Sequence, residues 1–176
     1  TPKSVTNFAE TETLQLFQNG DAAFMRNWPY AWSELQKPSS NVKGKVAVTT
    51  MVSLKDIQPA STLGSWGFSI TKTSKNVQSS VNAIRYLTSE EAQRQLFLNY
   101  SYTPTRKKVF KDLTIISSSE ILPKLESALS FTKQRPSSPL YAQFSDVLQR
   151  ELSNLLTGAK DVNKAMNDAQ IKTNLI

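Results

Sequence analysis

The sequence predicts part of an α/β or α+β fold, helix-rich with a few strands, on three observations. Runs of β-branched residues sit in the first half, amphipathic stripes at helical spacing fill the second, and no regular βαβ repeat joins them. That order implies that further strands of the sheet come from elsewhere in the full protein. The elements follow in turn. Residues 3–19 carry Phe8, Leu14 and Phe17 and stop at Asn19-Gly20, a helix stop signal, so they read as mostly helix. Ala22-Ala23-Phe24-Met25 leads into Trp28-Pro29-Tyr30-Ala31-Trp32, where Pro29 marks the end of a short strand, and residues 30–36 give one or two helical turns. Lys45 to Val52 is β-branched and follows Gly44, which predicts a buried strand. Thr62 to Thr71 predicts another, interrupted by Gly64 and Gly67 where a ligand or another backbone comes close.

The remainder predicts helices. Val77, Val81, Ile84 and Leu87 share one helical face, and Thr88-Ser89-Glu90-Glu91 supplies a cap for a second helix reaching about Asn99. Leu122, Leu125 and Leu129 form a third stripe with Ser119 as its cap. The strongest pattern opens with Ser138 and Pro139, carries Leu140, Phe144, Val147, Leu148, Leu152, Leu155 and Leu156, and ends at Gly158. Asp161 caps a final helix with Val162, Ala165, Met166 and Ala169. All these stripes are expected to be core.

Composition narrows the chemistry. The 176 residues, 39% hydrophobic and 20% charged, suit one folded domain or two small lobes, and the apolar runs fall far short of the roughly 20 residues that span a bilayer. With no His and no Cys, the common zinc sites and every Ser-His or Cys-His nucleophile pair are excluded. No metal and no cofactor is expected. The net charge of +7 raises the question of nucleic acid, but the densest cluster, Arg106-Lys107-Lys108 with Lys111, lacks interleaved aromatics and reads as a solvated face. A glycosidase needs two facing carboxylates, and none of Glu10, Glu12, Asp21, Glu34, Glu90 and Glu91 forms such a pair. A sugar-processing enzyme is therefore disfavoured.

All three tryptophans lie in two short stretches, the second being Gly64-Ser65-Trp66-Gly67. Flat rings suit the C–H faces of a pyranose, with hydrogen bonds needed at its edge. Read alone, the general burial of aromatics favours core for Trp28, Tyr30, Trp32 and Trp66, although the polar neighbours Asn27, Ser65 and Ser69 weaken that reading. Arg135-Pro136-Ser137-Ser138-Pro139 delivers an arginine fork on a rigid turn, suited to vicinal hydroxyls, a carboxylate or a plain ion pair.

Taken in order, these segments resemble the C-terminal part of the extracellular solute-binding proteins of sugar ABC transporters, the group that includes maltose- and trehalose/maltose-binding proteins. The pattern runs from Phe17-Gln18-Asn19-Gly20-Asp21-Ala22-Ala23-Phe24-Met25 through Asn27-Trp28-Pro29-Tyr30-Ala31-Trp32 and Val46 to Val52. It continues with Thr62-Leu63-Gly64-Ser65-Trp66-Gly67-Phe68-Ser69-Ile70, Ser74-Lys75-Asn76, Tyr86 to Gln93, Arg135-Pro136 and Pro139-Leu140-Tyr141. Ser65 departs from the pattern, since many relatives have a second glycine there.

The resemblance implies an α/β, periplasmic-binding-protein-like (type II) fold, of which residues 1–176 are the C-terminal portion: much of the C-lobe and the hinge-crossing segments, with the N-terminal part missing. It implies an inter-lobe cleft in which Trp28 and Trp66 stack on sugar, Tyr30 and Arg135 hydrogen-bond hydroxyls, and Gly64 gives backbone access. Trp32 remains a packing residue. The implied role is a disaccharide or oligosaccharide receptor that works with ABC permease subunits and performs no catalysis. A peptide or anion is the alternative ligand. The implied location is periplasmic or extracellular, anchored through an upstream N-terminus. A half-built cleft with exposed apolar surface also predicts self-association.

Overall fold

A computed structural model of the chain describes residues 2–176. The chain divides into two compact units: Leu14–Gln134, and Thr1–Thr13 with Arg135–Ile176.

The larger unit is organised around two apolar clusters. Helix α1 (Glu10–Gln18), whose first residues belong to the smaller unit, ends as its sequence predicts. Gly20 takes φ +90°, and the N–H groups of Gly20 and Asp21 donate to the carbonyls of Phe17 and Leu16 at 3.0 and 3.1 Å. The reversal brings Leu14 against Ala31 and Leu35 of the short helix α2 (Ala31–Leu35), with Phe17, Met25, Tyr30, Val42 and Val46 packed around them. A single helix over 3–19 is not formed: a 3-10 turn (Lys3–Asn7) precedes α1, and Phe8 between them is extended.

After the two-residue strand β1 (Ser61–Thr62) come α3 (Val77–Leu87) and α4 (Glu90–Tyr100). Ser89 caps α4 by accepting the Ala92 N–H at 3.1 Å, as expected. A 3-10 turn (Val109–Lys111), α5 (Leu113–Ser118), α6 (Leu122–Ser130) and strand β2 (Thr132–Lys133) complete the unit. Phe97, Val109, Phe110, Ile115, Ile121, Leu122 and Leu125 form its second core, on which Trp32 and Val48 pack. Trp32 is thus a packing residue.

Gln93 staples the following loop to α4. Its Oε1 accepts the N–H groups of Thr105 and Arg106 at 2.9 and 3.1 Å, and its Nε2 donates to Thr105 Oγ1 at 2.9 Å. Arg94 Nε donates to Asp112 Oδ2 at 2.7 Å, and this bond holds the Asp112 carboxyl below its ordinary range. Asp112 also caps α5, a helix its sequence did not announce. Ser119 follows α5 and is not the cap of α6, which begins after Ile121 without a side-chain cap.

The strand expectations require correction. β1 and β2 pair in parallel, with Ser61 opposite Thr132 and Thr62 opposite Lys133, and they are the strands among the described residues. Lys45 to Val52, the segment before Trp28 and most of Thr62 to Thr71 form no ladder. β-Branched residues favour extended backbone, but a strand exists only where another strand receives its N–H and C=O groups. Val46 and Val48 reach the two cores from this segment, whereas Val52, Leu54 and Ile57 remain exposed.

In the smaller unit, α7 (Tyr141–Leu156) packs against α8 (Val162–Thr173) and the Lys3–Asn7 turn. Gly158, at φ +79°, ends α7 with the same paired bonds as Gly20: Gly158 and Ala159 N–H donate to Leu155 and Asn154 carbonyls at 3.0 and 2.9 Å. Asp161 caps α8 through the Lys164 N–H at 2.9 Å. The apolar stripe of α7, expected to be core, is only partly covered, with Phe144, Val147, Leu148 and Leu155 half-buried. Leu140, Leu152 and Leu156 are exposed, and the buried residue of this helix is Glu151, 1% accessible. Its carboxylate accepts from Lys160 Nζ and Lys172 Nζ, both at 2.5 Å, and Lys160 also binds Asp168 at 2.7 Å. The two lysine hydrogen bonds lower the Glu151 pKa to about 2. On α3 likewise no residue is fully buried, so its stripe is an exposed or half-covered face.

Candidate functional site

The residues proposed from the sequence lie on three segments. Trp28 and Tyr30 precede α2, and Gly64 and Trp66 follow β1, all within the larger unit. Arg135 is exposed and opens the second stretch of the smaller unit, two residues beyond the end of β2.

Trp28 is half-buried, and its N–H donates to Asn27 Oδ1 at 2.7 Å, which fixes the backbone just ahead of Pro29. The Arg26 guanidinium lies 5.4 Å from the Trp28 ring centroid, within cation–π range. Arg26 was not among the residues singled out from the sequence. Its spacing two positions before an aromatic in an extended segment, where i and i+2 share a face, was the available signal. Tyr30 packs on the Leu14, Ala31 and Leu35 cluster, and its carbonyl accepts the Ser33 hydroxyl at 2.9 Å. It is therefore partly a core residue, with its position set by the start of α2.

Trp66 is the opposite case. Its relative accessibility is 102%, so the whole indole stands in solvent. Burial of such a ring would remove a large apolar surface from water, and its position between Ser65 and Gly67, both exposed, leaves its faces open. A Cβ at Gly67 would meet nothing within 4 Å, so the close approach expected at this glycine is not made by the described residues. Gly64 is half-buried.

Among the described residues, the carboxyls of Asp112 and Glu151 are both pushed down by hydrogen bonds from cations. No group of three His, Cys, Asp or Glu among the described residues is placed to hold a metal ion. No helix among the described residues is long and apolar enough to cross a membrane.

Comparison with known proteins places this geometry in context. A Deinococcus radiodurans protein described as a probable ABC transporter-binding protein is 32% identical over 159 residues, which is 89% of this chain and 38% of that protein. The structure of maltose-bound T. maritima MalE3 aligns with 100% of the chain and 46% of its own length, at TM-score 0.90 and 34% identity. A solute-binding protein from Agrobacterium radiobacter K84, in complex with ribitol, aligns with 94% of the chain and 43% of its own length at TM-score 0.78; at 24% identity it supports the fold alone. The chain thus spans less than half the length of each of these relatives, and its helix-rich fold with few strands is that of the MalE-like periplasmic binding proteins. Residues 1–94, which contain both tryptophan segments, match the family described as bacterial extracellular solute-binding protein, and because the match takes in more than half of the chain, the chain belongs to that family.

Proposed function

We propose that this chain is the C-terminal portion of a two-lobe receptor that binds a disaccharide or oligosaccharide and delivers it to the permease of an ABC importer, without converting it chemically. The observation that carries this reading is the match of the entire chain, at TM-score 0.90 and 34% identity, to a protein whose structure contains maltose. The exposed Trp66 ring supports it, because an aromatic face without a protein partner suits the C–H face of a pyranose. In this reading Trp66 and Trp28 stack on sugar rings, Gly64 admits the ligand to the backbone, and Tyr30 and Arg135 hydrogen-bond hydroxyls. Arg26 fixes the plane of the Trp28 ring. The site of action is the periplasm or the cell exterior, with the permease subunits as partners.

Calorimetric titration with maltose, trehalose and longer glucans tests the proposal. Saturable heat with at least one of them is expected, nearly independent of salt because the ligand is neutral. Absence of heat for every sugar overturns it. Saturable heat only with a peptide or an anion, weakening as salt screens Arg26 and Arg135, transfers the site to the non-sugar alternative.

A further inference from the structure

A concavity lies in the larger unit, lined by none of the residues assigned to the sugar, although its Ser33 bonds the Tyr30 carbonyl. It has a volume of about 250 Å³ and is lined by Trp32, Ser33 and Gln36 around α2, Phe97, Leu98 and Ser101 at the end of α4, and Ser118 and Ser119 at the end of α5. Its composition is unusual for a gap between helices: four hydroxyls and a carboxamide against two aromatic rings, with no charged side chain. A gap left by imperfect packing would be apolar and dry. This one is polar.

The hydrogen-bond state of its walls narrows what it takes. Ser33 and Ser118 donate to the carbonyls of Tyr30 and Ile115, each at 2.9 Å, so their oxygens keep acceptor capacity towards the cavity. Ser101 is 6% accessible, yet its hydroxyl has no partner among the described residues. Gln36 Oε1 accepts the Gly44 N–H at 3.3 Å, which directs its amide nitrogen elsewhere, and that Nε2 is buried without a partner. An unpartnered buried donor is costly, and Gln36 Nε2 is the one such side-chain atom among the described residues, so an occupant with an acceptor for it is favoured, while the unbonded Ser101 hydroxyl can donate to or accept from the same occupant. The absence of charge in the lining disfavours ions. Trp32 and Phe97 offer apolar contact to carbon.

We propose that this cavity is a binding site for a small neutral polyol, seated against Trp32 and hydrogen-bonded to the Ser101 hydroxyl. It shares no lining residue with the proposed sugar site. The volume equals that of about eight water molecules at the share each takes in the liquid, room for one such solute with water beside it.

Titration with glycerol, followed through the three tryptophan indole N–H signals by NMR, tests the site. The signals are assigned with Trp28→Phe and Trp66→Phe. Glycerol is expected to shift the Trp32 signal along a saturating curve in the millimolar range, while 1-propanol, similar in size but with one hydroxyl, gives no saturation. Ser101 sits at φ +56°, a left-handed conformation that glycine adopts freely, so Ser101→Gly removes the hydroxyl with the fold retained. It is expected to weaken glycerol binding about fivefold to tenfold, the worth of one neutral hydrogen bond. Ser119→Val, which fills part of the cavity, is expected to abolish binding. A linear drift of all three signals with glycerol, an unmoved Trp32 signal, or unchanged affinity in both variants overturns the proposal. Failure of the maltose titration leaves it standing, because maltose is read through heat and glycerol through the Trp32 signal.

Discussion

Trp66 and Phe97 show how differently two aromatic side chains can serve one chain. Phe97 is 2% accessible at the centre of the larger core, and truncating it leaves a void that its helical neighbours cannot fill. Phe97→Ala is expected to cost about 3–5 kcal/mol, visible as a lower midpoint in urea unfolding. Trp66→Ala removes no buried contact, so its expected effect on stability is within about 0.5 kcal/mol. Its effect on maltose affinity is expected to be a loss of at least about fivefold, measured by calorimetry, since stacking is worth about 1 kcal/mol beyond the area covered. Unchanged affinity removes Trp66 from the site. The residue names alone did not separate these roles. Burial statistics place tryptophan inside, and only the bare Ser65-Trp66-Gly67 segment reveals a ring with nothing over it.

At the scale of the element, the α7–α8 pair encloses a buried carboxylate, Glu151, paired with Lys160 and Lys172. Glu151 has a pKa of about 2 in the folded chain against an ordinary 4.5, so it binds protons more readily when unfolded. Its contribution to stability is therefore complete above pH 4.5 and is lost as pH falls towards 2. Acid titration followed by circular dichroism is expected to show this loss, and Glu151→Gln is expected to lower the thermal midpoint at pH 7 and to flatten the acid dependence. At the head of α8, Asp161→Ala removes the bond to the Lys164 N–H and is expected to cost about 1 kcal/mol. The cap at Asp161, the one at Ser89 and the turns at Gly20 and Gly158 were all legible in the sequence, because each is a contract between residues a few positions apart. The buried Glu151 was not, since its partners come from α8 and the intervening turn. Nor was the missing ladder at Lys45 to Val52: β-branched composition describes a strand's own preference and says nothing about whether a partner is present.

At the scale of the whole molecule, the chain carries two compact units, and the helices of the second half were readable from periodicity, whereas the expected order of strands early and helices late is not what forms: α1 and α2 precede β1, and β2 lies at Thr132–Lys133. Which apolar faces the chain itself covers was not readable, because a stripe looks the same whether or not anything packs on it. The parallel pair β1–β2 has a consequence for the order in which this structure is acquired. The helical pairs α3–α4 and α7–α8 join neighbours in sequence, whereas Ser61 meets Thr132 only when about seventy intervening residues have been closed into a loop, an entropic cost that two residues of ladder scarcely offset. This closure is expected to be a late event that waits for the core around Phe97 to form. In pulsed hydrogen–deuterium exchange during refolding, the Leu63 amide, bonded to the Lys133 carbonyl at 2.8 Å, is expected to gain protection after the amides of α4, and simultaneous protection would contradict that order.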